Sequence, residues 1–263
     1  GWVAYQYDPS MPAAIIFAAL FMISTLWHMY RMIRTRTWFV IPLVIGGYFE
    51  AIGYIGRALS AAQSPNWSLG PYIMQSTLLL VAPALFAASI YMELGRIVLL
   101  VKAEQLAIIR VGWMTKIFVA GDVLSFLMQA SGELRAGIMV NGSPTMGQNI
   151  IVGGLFVQIV FFGFFVVSAL VFQIRIANHP TDESRSDQIP WRKHMFALYS
   201  SSGLILVRSV FRVIEYLEGS DGFLLQHEVF IYLLDGLLML LVLAVFVVIH
   251  PSEVKRLLRG GNV

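Results

Sequence analysis

The sequence predicts an all-α membrane protein, a bundle of seven transmembrane helices with its N-terminus outside and its C-terminus in the cytosol. Three observations predict this fold class. Hydrophobic residues make up 58% of the 263 residues and charged residues 13%, whereas soluble domains contain about 25% charged residues. Seven apolar runs are long enough to cross a bilayer, which takes roughly 20 residues each. Basic residues are concentrated in alternate loops.

The seven predicted spans leave room only for loops and tails, so the sequence predicts a single domain over residues 1–263. The spans cover residues 12–33, 39–60, 72–99, 113–135, 150–176, 194–217 and 228–250. Pro12 and Pro71 stand at helix starts, where proline is tolerated. Pro83 lies inside the third span, where a neighbouring helix can satisfy the carbonyl that it frees. The first run is interpreted as a spanning helix and not as a cleaved signal peptide, because six more runs follow it.

The Lys and Arg residues predict the direction of the chain, since cytosolic loops are enriched in both. Fourteen of the 18 basic residues flank the first, third and fifth loops or lie in the C-terminal tail. The opposite loops and the N-terminal tail have none outside the helices. Two glycosylation sequons, at Asn66 and Asn141, fall in predicted outside loops and agree with this direction.

The composition excludes several classes of function. The chain has no cysteine, so it has no disulfides, zinc-thiolate sites, iron–sulfur clusters or thiol nucleophiles. The net charge of +3 comes from loops that flank the membrane, so we do not expect a nucleic-acid partner. Phosphate-loop, dinucleotide and zinc-protease motifs are absent, and we expect neither a cofactor nor a metal.

Four predicted spans carry polar residues whose spacing returns to one helix face, at about 100° per residue. These residues are Glu50 and Arg57 in the second span, Asp122, Gln129 and Glu133 in the fourth, Arg208, Arg212 and Glu215 in the sixth, and Glu228 and Asp235 in the seventh. Intramembrane charges cost roughly 2.5–3.5 kcal/mol each on insertion scales and commonly mark function. Because carboxylates outnumber arginines, we predict an acid-rich substrate chamber that opens to the outer side. The alternative is that buried Arg–carboxylate pairs only join the helices.

Small residues in the second span bear on helix packing. Gly46, Gly47, Gly53 and Gly56 allow another helix to approach closely. They predict either tight packing inside the bundle or the face of a homodimer.

Several segments taken together are typical of one family. They are Tyr7-Asp8-Pro9-Ser10, Glu50-Ala51-Ile52-Gly53-Tyr54-Ile55-Gly56-Arg57, Ala82-Pro83, Arg208-Ser209-Val210-Phe211-Arg212, His227-Glu228 and His250-Pro251. In this order over seven spans, the sequence resembles the fungal lipid-translocating exporters, the RTA-like seven-helix proteins, along almost its whole length.

The resemblance implies a fungal plasma-membrane protein that exports sphingoid long-chain bases or confers resistance to other toxic amphiphiles. One branch of the family is associated with porphyrin uptake. The implied partners are an amphiphilic lipid ligand and membrane lipids. A long-chain base carries a cationic amine, so we expect Glu50, Asp122 and Asp235 to bind the amine. Arg57 and the two arginines of the sixth span would then be their charge partners.

Two other functions remain open at this stage. An intramembrane lipid-modifying enzyme could use the clustered acids as general acid and base. A metal-dependent enzyme needs several converging histidines, and we expect only His227 near the chamber. A seven-helix receptor for an amphiphilic ligand has the same predicted topology, but topology alone is an argument by association.

Overall fold

The structure, a computed structural model, describes residues 7–64, 66–138, 144–186, 188–218 and 222–260, without the side chains of 133–138, 144, 145 and 225. All regular elements in these ranges are helices, and seven helices are long and apolar enough to cross a membrane. The predicted class, all-α with seven spans, is therefore confirmed. Of the two sequons, Asn66 is exposed just before the third span, and Asn141 lies outside the described residues.

The spans follow each other in chain order, with short helices in the loops. The elements are α1 (Met11–Thr35), α2 (Ile41–Ala62), α3 (Leu69–Leu100), α4 (Val111–Ile138), α5 (Pro144–Asn178), α6 (Asp182–Arg185), α7 (Trp191–Glu218), α8 (Phe223–Gln226), a π-helix (Ile231–Leu237), α9 (Leu238–Val248) and α10 (Ser252–Leu258). Single 3-10 turns, Trp38–Val40 and Glu104–Leu106, precede α2 and α4. The π-helix and α9 together form the seventh span. Most boundaries agree with the predicted ones to within a few residues, although α5 begins earlier than predicted.

Both ends of α1 are defined by local chemistry. The Ser10 hydroxyl accepts a hydrogen bond from the N–H of Ala13, and Pro12 lies in the first turn, where a missing N–H has no cost. At the other end, Arg36 adopts a left-handed conformation with φ of 53° and donates its N–H back into the last turn. A left-handed residue at this position is a common end of a helix.

The helices close into a ring in chain order. Each span packs on the next one, and the seventh packs back on α1, while α3 also contacts α7 across the ring. The second, third and sixth spans are the most buried. Three α2 glycines, Gly46, Gly53 and Gly56, face side chains or backbone of α3, and Gly47 faces Thr25 of α1. These glycines therefore serve close packing inside the bundle.

The seventh span differs from the ordinary helix that the sequence predicts. Its first half is a π-helix, Ile231–Leu237, in which hydrogen bonds span five residues and each turn is wider. Gly236 lies against the Tyr54 hydroxyl and the Phe17 ring, and a Cβ there would overlap both. The wide turn and the missing side chain allow this part of the span to lie close to α1 and α2.

Candidate functional site

An ion pair between the sixth and seventh spans is buried in the bundle. Arg208 of α7 pairs through Nε with Oδ1 of Asp235 in the π-helix, and both side chains are at most 2% exposed. Nη2 of Arg208 donates to the carbonyl oxygen of Leu79 in α3, at 2.8 Å. That carbonyl lies one turn before Pro83, which has no N–H to donate to it. One guanidinium therefore supplies the counter-charge of a buried carboxylate and satisfies a freed carbonyl.

Glu50 of α2 is fully buried near this pair. Its side chain is 0% exposed, and neither carboxylate oxygen accepts a hydrogen bond from the described residues. Asp235, Arg208 and Arg212 are the charged groups that act on it. Oδ2 of Asp235 is likewise buried without a donor among the described residues. Since buried polar atoms normally have a hydrogen-bond partner, these carboxylates have unused acceptor capacity.

Arg212 and Glu215 form a further ion pair on α7. Nη1 of Arg212 lies 2.6 Å from Oε2 of Glu215, because residues three apart are neighbours on a helix surface. The guanidinium also lies over the ring of Tyr216, 5.4 Å from its centroid. We refer to Glu50, Arg208, Arg212, Glu215 and Asp235 as the central cluster.

A second group, the Arg57 cluster, joins the N-terminal segment to the second and seventh spans. It consists of Tyr7, Ser10, Arg57, Glu228 and Tyr232. Nη2 of Arg57 lies 2.8 Å from Glu228 Oε1 and donates to the Tyr7 hydroxyl at 2.8 Å, while Nε donates to Tyr232 at 3.0 Å. The backbone N–H of Ser10 donates to both Glu228 oxygens, at 2.9 Å. Burial raises the pKa of Tyr7, so its hydroxyl stays neutral at physiological pH.

Tyr54 lies between the two clusters. Its ring stacks on that of Tyr232, with centroids 5.8 Å apart. It interacts electrostatically with Asp235 and Glu50 of the central cluster and with Arg57 of the other. The two clusters therefore form one polar region between α2, α7 and the seventh span.

Asp122 and Gln129 of α4 are not part of this region. Asp122 accepts a hydrogen bond from Tyr91 of α3 at 2.9 Å. Gln129 donates to Ser125 at 2.7 Å and to Gln158 of α5 at 3.4 Å. Helical spacing identified a polar face on α4 but not the neighbour that it faces, and α4 packs on α3 and α5.

The prediction of one chamber lined by four helices therefore needs correction. Seven of the predicted residues lie in the two clusters, while Asp122 and Gln129 face α3 and α5 instead. Asp122 does share one property with Glu50, because its Oδ1 is buried without a donor among the described residues. The side chain of Glu133 lies outside the described part of the chain.

A third buried group, which was not predicted from the sequence, lies near the other end of the bundle. His194 of α7 is 0% exposed, with Nδ1 3.2 Å from Oε1 of Glu93 and Nε2 3.2 Å from Oε2 of Glu253. A neutral imidazole donates from one nitrogen only, so both hydrogen bonds require an imidazolium or a protonated carboxyl. Glu93 is the single acidic residue of the third span, and an acid inside an apolar span is a signal that could have identified it.

The histidines do not form a metal site in the part of the chain that the structure describes. No group of three or more His, Asp or Glu residues there is placed to hold a metal ion. His227 is exposed and packs on the ring of Phe223, 4.2 Å between centroids. Nε2 of His28 lies 3.0 Å from the carbonyl oxygen of Leu243, and the His28 ring stacks on the ring of His250.

An apolar groove of about 370 Å³ runs between α1 and α2. It begins at Met11, next to the Ser10 that contacts Glu228, and on α2 it reaches Ala58, next to Arg57. Its walls are Met11, Ile15, Ala18, Ala19, Met22, Ile55, Ala58, Leu59 and Ala62. The α1–α2 groove therefore places an apolar surface beside the Arg57 cluster.

Comparison with known proteins gives the family. Residues 43–257 match the family model described as RTA1 like protein. The chain is 38% identical to protoporphyrin uptake protein 1 of Saccharomyces cerevisiae, over 94% of this chain and 91% of that protein. It is 35% identical to protein RTA1 of the same yeast, over 95% and 86%. It is 23% identical to a yeast sphingoid long-chain base transporter, RSB1, over 86% and 67%. No solved structure matches the chain significantly. The resemblance stated from the sequence is confirmed: the chain belongs to the RTA1-like protein family.

Proposed function

We propose that this protein translocates amphiphilic lipids across the plasma membrane, with sphingoid long-chain bases as the substrate class. The observation that carries the proposal is Glu50, which is fully buried and accepts no hydrogen bond from the described residues. An ammonium group offers three donors. The two oxygens of Glu50 and the unpaired Oδ2 of Asp235 together match that number.

The charges in the two clusters favour a cationic headgroup. Each arginine there pairs with one carboxylate: Arg57 with Glu228, Arg208 with Asp235, and Arg212 with Glu215. Glu50 is the acid that remains. Pairs that only join helices do not require a surplus carboxylate, whereas binding of a primary amine does.

The α1–α2 groove supplies a surface for the alkyl chain. Its lining is aliphatic, and burial of apolar surface contributes about 25 cal/mol per Å². We place the N-terminus outside and the C-terminus in the cytosol, because the basic residues collect at the other ends of the helices. The Arg57 cluster and the groove then lie at the outer leaflet, and the central cluster lies deeper.

The relatives support transport of amphiphiles. Their names give two candidate classes of substrate headgroup, one cationic and one anionic. The transporter of sphingoid long-chain bases supports a cationic lipid. The higher identity to the protoporphyrin uptake protein makes an anionic, porphyrin-like amphiphile the second candidate. A porphyrin with carboxylate substituents would need unpaired cations, whereas the unpaired group among the two clusters is an acid.

The test is binding and movement of a long-chain base by the purified protein in liposomes. We expect saturable binding of sphingosine and its transfer between leaflets, with the affinity of the Glu50→Gln variant reduced at least about tenfold, or about 1.4 kcal/mol. The matched control is Glu183→Gln, the same change in a loop outside the membrane spans.

Four results would contradict the proposal. Unchanged sphingosine binding by Glu50→Gln would exclude the amine site. Binding of protoporphyrin in place of sphingosine would favour the anionic class. Chemical conversion of the lipid, followed by mass spectrometry, would favour the lipid-modifying enzyme, and ligand binding without transfer would favour the receptor.

A further inference from the structure

A large cavity lies at the end of the bundle opposite the Arg57 cluster. It has a volume of about 860 Å³ and lies between the end of α1, the start of α7 and helix α10. The Arg57 cluster adjoins the start of α1 through Ser10. Since α1 has 25 residues and a helix rises about 1.5 Å per residue, the two sites are separated by roughly 35 Å.

The lining of this cavity is strongly basic. Its basic residues are Arg31, Arg34, Lys193, Lys255, Arg256 and Arg259, and its acidic residue is Glu253. We refer to it as the basic cavity. Such a concentration of like charge repels itself unless an anion is bound.

Internal partners account for only part of this charge. Lys193 pairs with Glu253 at 3.2 Å, and the same carboxylate contacts His194. Lys255 donates to the backbone carbonyl oxygens of Thr35 and Arg36. Four arginines, those at 31, 34, 256 and 259, form no ion pair with a carboxylate among the described residues.

Two buried nitrogen atoms of the cavity lining also lack partners. Nε of Arg31 and Nε2 of His250 have no hydrogen-bond partner among the described residues. Leaving a buried donor unsatisfied costs about 1–3 kcal/mol. An oxygen-rich anion in the cavity would supply the missing acceptors, and guanidinium groups bind phosphate through two parallel hydrogen bonds.

The surroundings of the cavity indicate that the anion is part of a lipid. Trp27 and Tyr30 line it and are 46% and 50% exposed, and Val248 of α9 is 78% exposed. Exposed aromatic side chains of this kind lie at the level of lipid headgroups. A phospholipid could therefore place its headgroup in the cavity and its acyl chains along the apolar face of α1.

We propose that the basic cavity is a binding site for the phosphate-bearing headgroup of an anionic phospholipid. This site is distinct from the site for the transported amphiphile. It lies on the side that the proposed orientation places in the cytosolic leaflet, where anionic lipids are enriched. The bound lipid bridges α1 and α10, which otherwise meet through the contacts of Lys255 with the end of α1.

The experiment measures lipid retention and thermal unfolding of the full chain. Purified protein is placed in nanodiscs of phosphatidylcholine alone or with phosphatidylserine or phosphatidylinositol 4-phosphate, then released and weighed by native mass spectrometry. We expect anionic lipid to be retained and to raise the unfolding temperature. The variant Arg31→Gln/Arg34→Gln/Arg256→Gln should lose at least about tenfold in affinity, or about 1.4 kcal/mol.

The control variant removes the same charge outside the cavity. Arg110→Gln/Lys116→Gln/Arg185→Gln changes three exposed residues predicted on the same side of the membrane, and we expect its retention of anionic lipid to equal that of the unaltered chain. Equal losses in both variants would show general attraction to a charged surface and would overturn the proposal. Equal retention of neutral and anionic lipid would overturn it as well.

Two further experiments are needed. One distinguishes a lipid headgroup from a free phosphate, and the other distinguishes the basic cavity from the proposed amine site. Soluble inositol phosphate and inorganic phosphate are added to protein in neutral nanodiscs. If either binds as tightly as the lipid, the cavity is a site for a free anion, and the lipid proposal is wrong. The Glu50→Gln variant should retain anionic phospholipid fully, so failure at one site does not imply failure at the other.

Discussion

A guanidinium inside a membrane bundle is costly unless its N–H groups find acceptors. Arg208 finds two kinds of acceptor, the carboxylate of Asp235 and the carbonyl oxygen of Leu79. The second exists because Pro83 cannot donate to it. A missing backbone hydrogen bond in one helix and a charge in another are therefore complementary, because the guanidinium donates to the carbonyl that Pro83 leaves free.

Replacing Arg208 alone should strongly destabilise the bundle. Arg208→Met leaves the buried Asp235 carboxylate without its counter-charge, and breaking such a pair costs about 3–5 kcal/mol. Unfolding in mixed micelles measures the loss. The double variant Arg208→Met/Asp235→Leu should recover most of it, because no buried charge remains unpaired. A double variant as unstable as the single one would show that the Leu79 contact dominates.

Replacing Glu50 should have the opposite effect on stability. A buried acid without hydrogen-bond donors opposes folding, so we expect Glu50→Met to raise the free energy of unfolding by about 1 kcal/mol or more. Glu228→Met is the matched control and should lower it, because Glu228 pairs with Arg57. Destabilisation by Glu50→Met would mean that the carboxylate has a structural role, and it would weaken the proposed amine site.

At the level of the elements, α4 and α5 are joined by close backbone contact. A Cβ at Gly132 would lie 2.7 Å from the carbonyl oxygen of Gly147 and 3.0 Å from the backbone nitrogen of Ile151. Backbone atoms cannot move aside as the end of a side chain can. The glycine therefore determines the distance between the two helices.

The variant Gly132→Ala should separate α4 from α5 and destabilise the protein by about 1–3 kcal/mol. Gly163→Ala in α5 is the control, because no heavy atom lies within 4 Å of its added methyl. That control should be neutral or stabilising by up to about 1 kcal/mol, since alanine favours helix. Denaturant unfolding compares the two, and equal effects would contradict the contact argument.

The helices also show how much of the structure could be predicted from the sequence. Length and hydropathy predicted all seven spans, because crossing a bilayer dictates both. Helical spacing selected both residues of the Arg57–Glu228 pair for the polar chamber, and the structure joins them. The same holds for Arg208 and Asp235. The neighbour that Asp122 faces could not be predicted, because a helix has several neighbours and its period identifies only one face. The π-helix left no signal in the hydropathy, since it changes hydrogen bonding and not composition.

For the whole molecule, the distribution of basic residues predicts the orientation in the membrane. We expect an N-terminal tag to be accessible to antibody on intact cells and a C-terminal tag only after permeabilisation. The two tags on one chain control for each other. The reverse result would move the Arg57 cluster to the inner leaflet and the basic cavity to the outer one, and it would contradict the proposed orientation.

The contact between Arg208 and Leu79 also bears on the order in which the chain is made. Synthesis proceeds from the N-terminus, so Arg208 reaches the membrane before its counter-ion Asp235, which lies 27 residues later in the chain. The Leu79 carbonyl, by contrast, belongs to a helix that is already complete. During this interval the third span is the partner available to the sixth. The last two spans must then leave the translocon as a pair, or the sixth must wait beside the third until the carboxylate arrives.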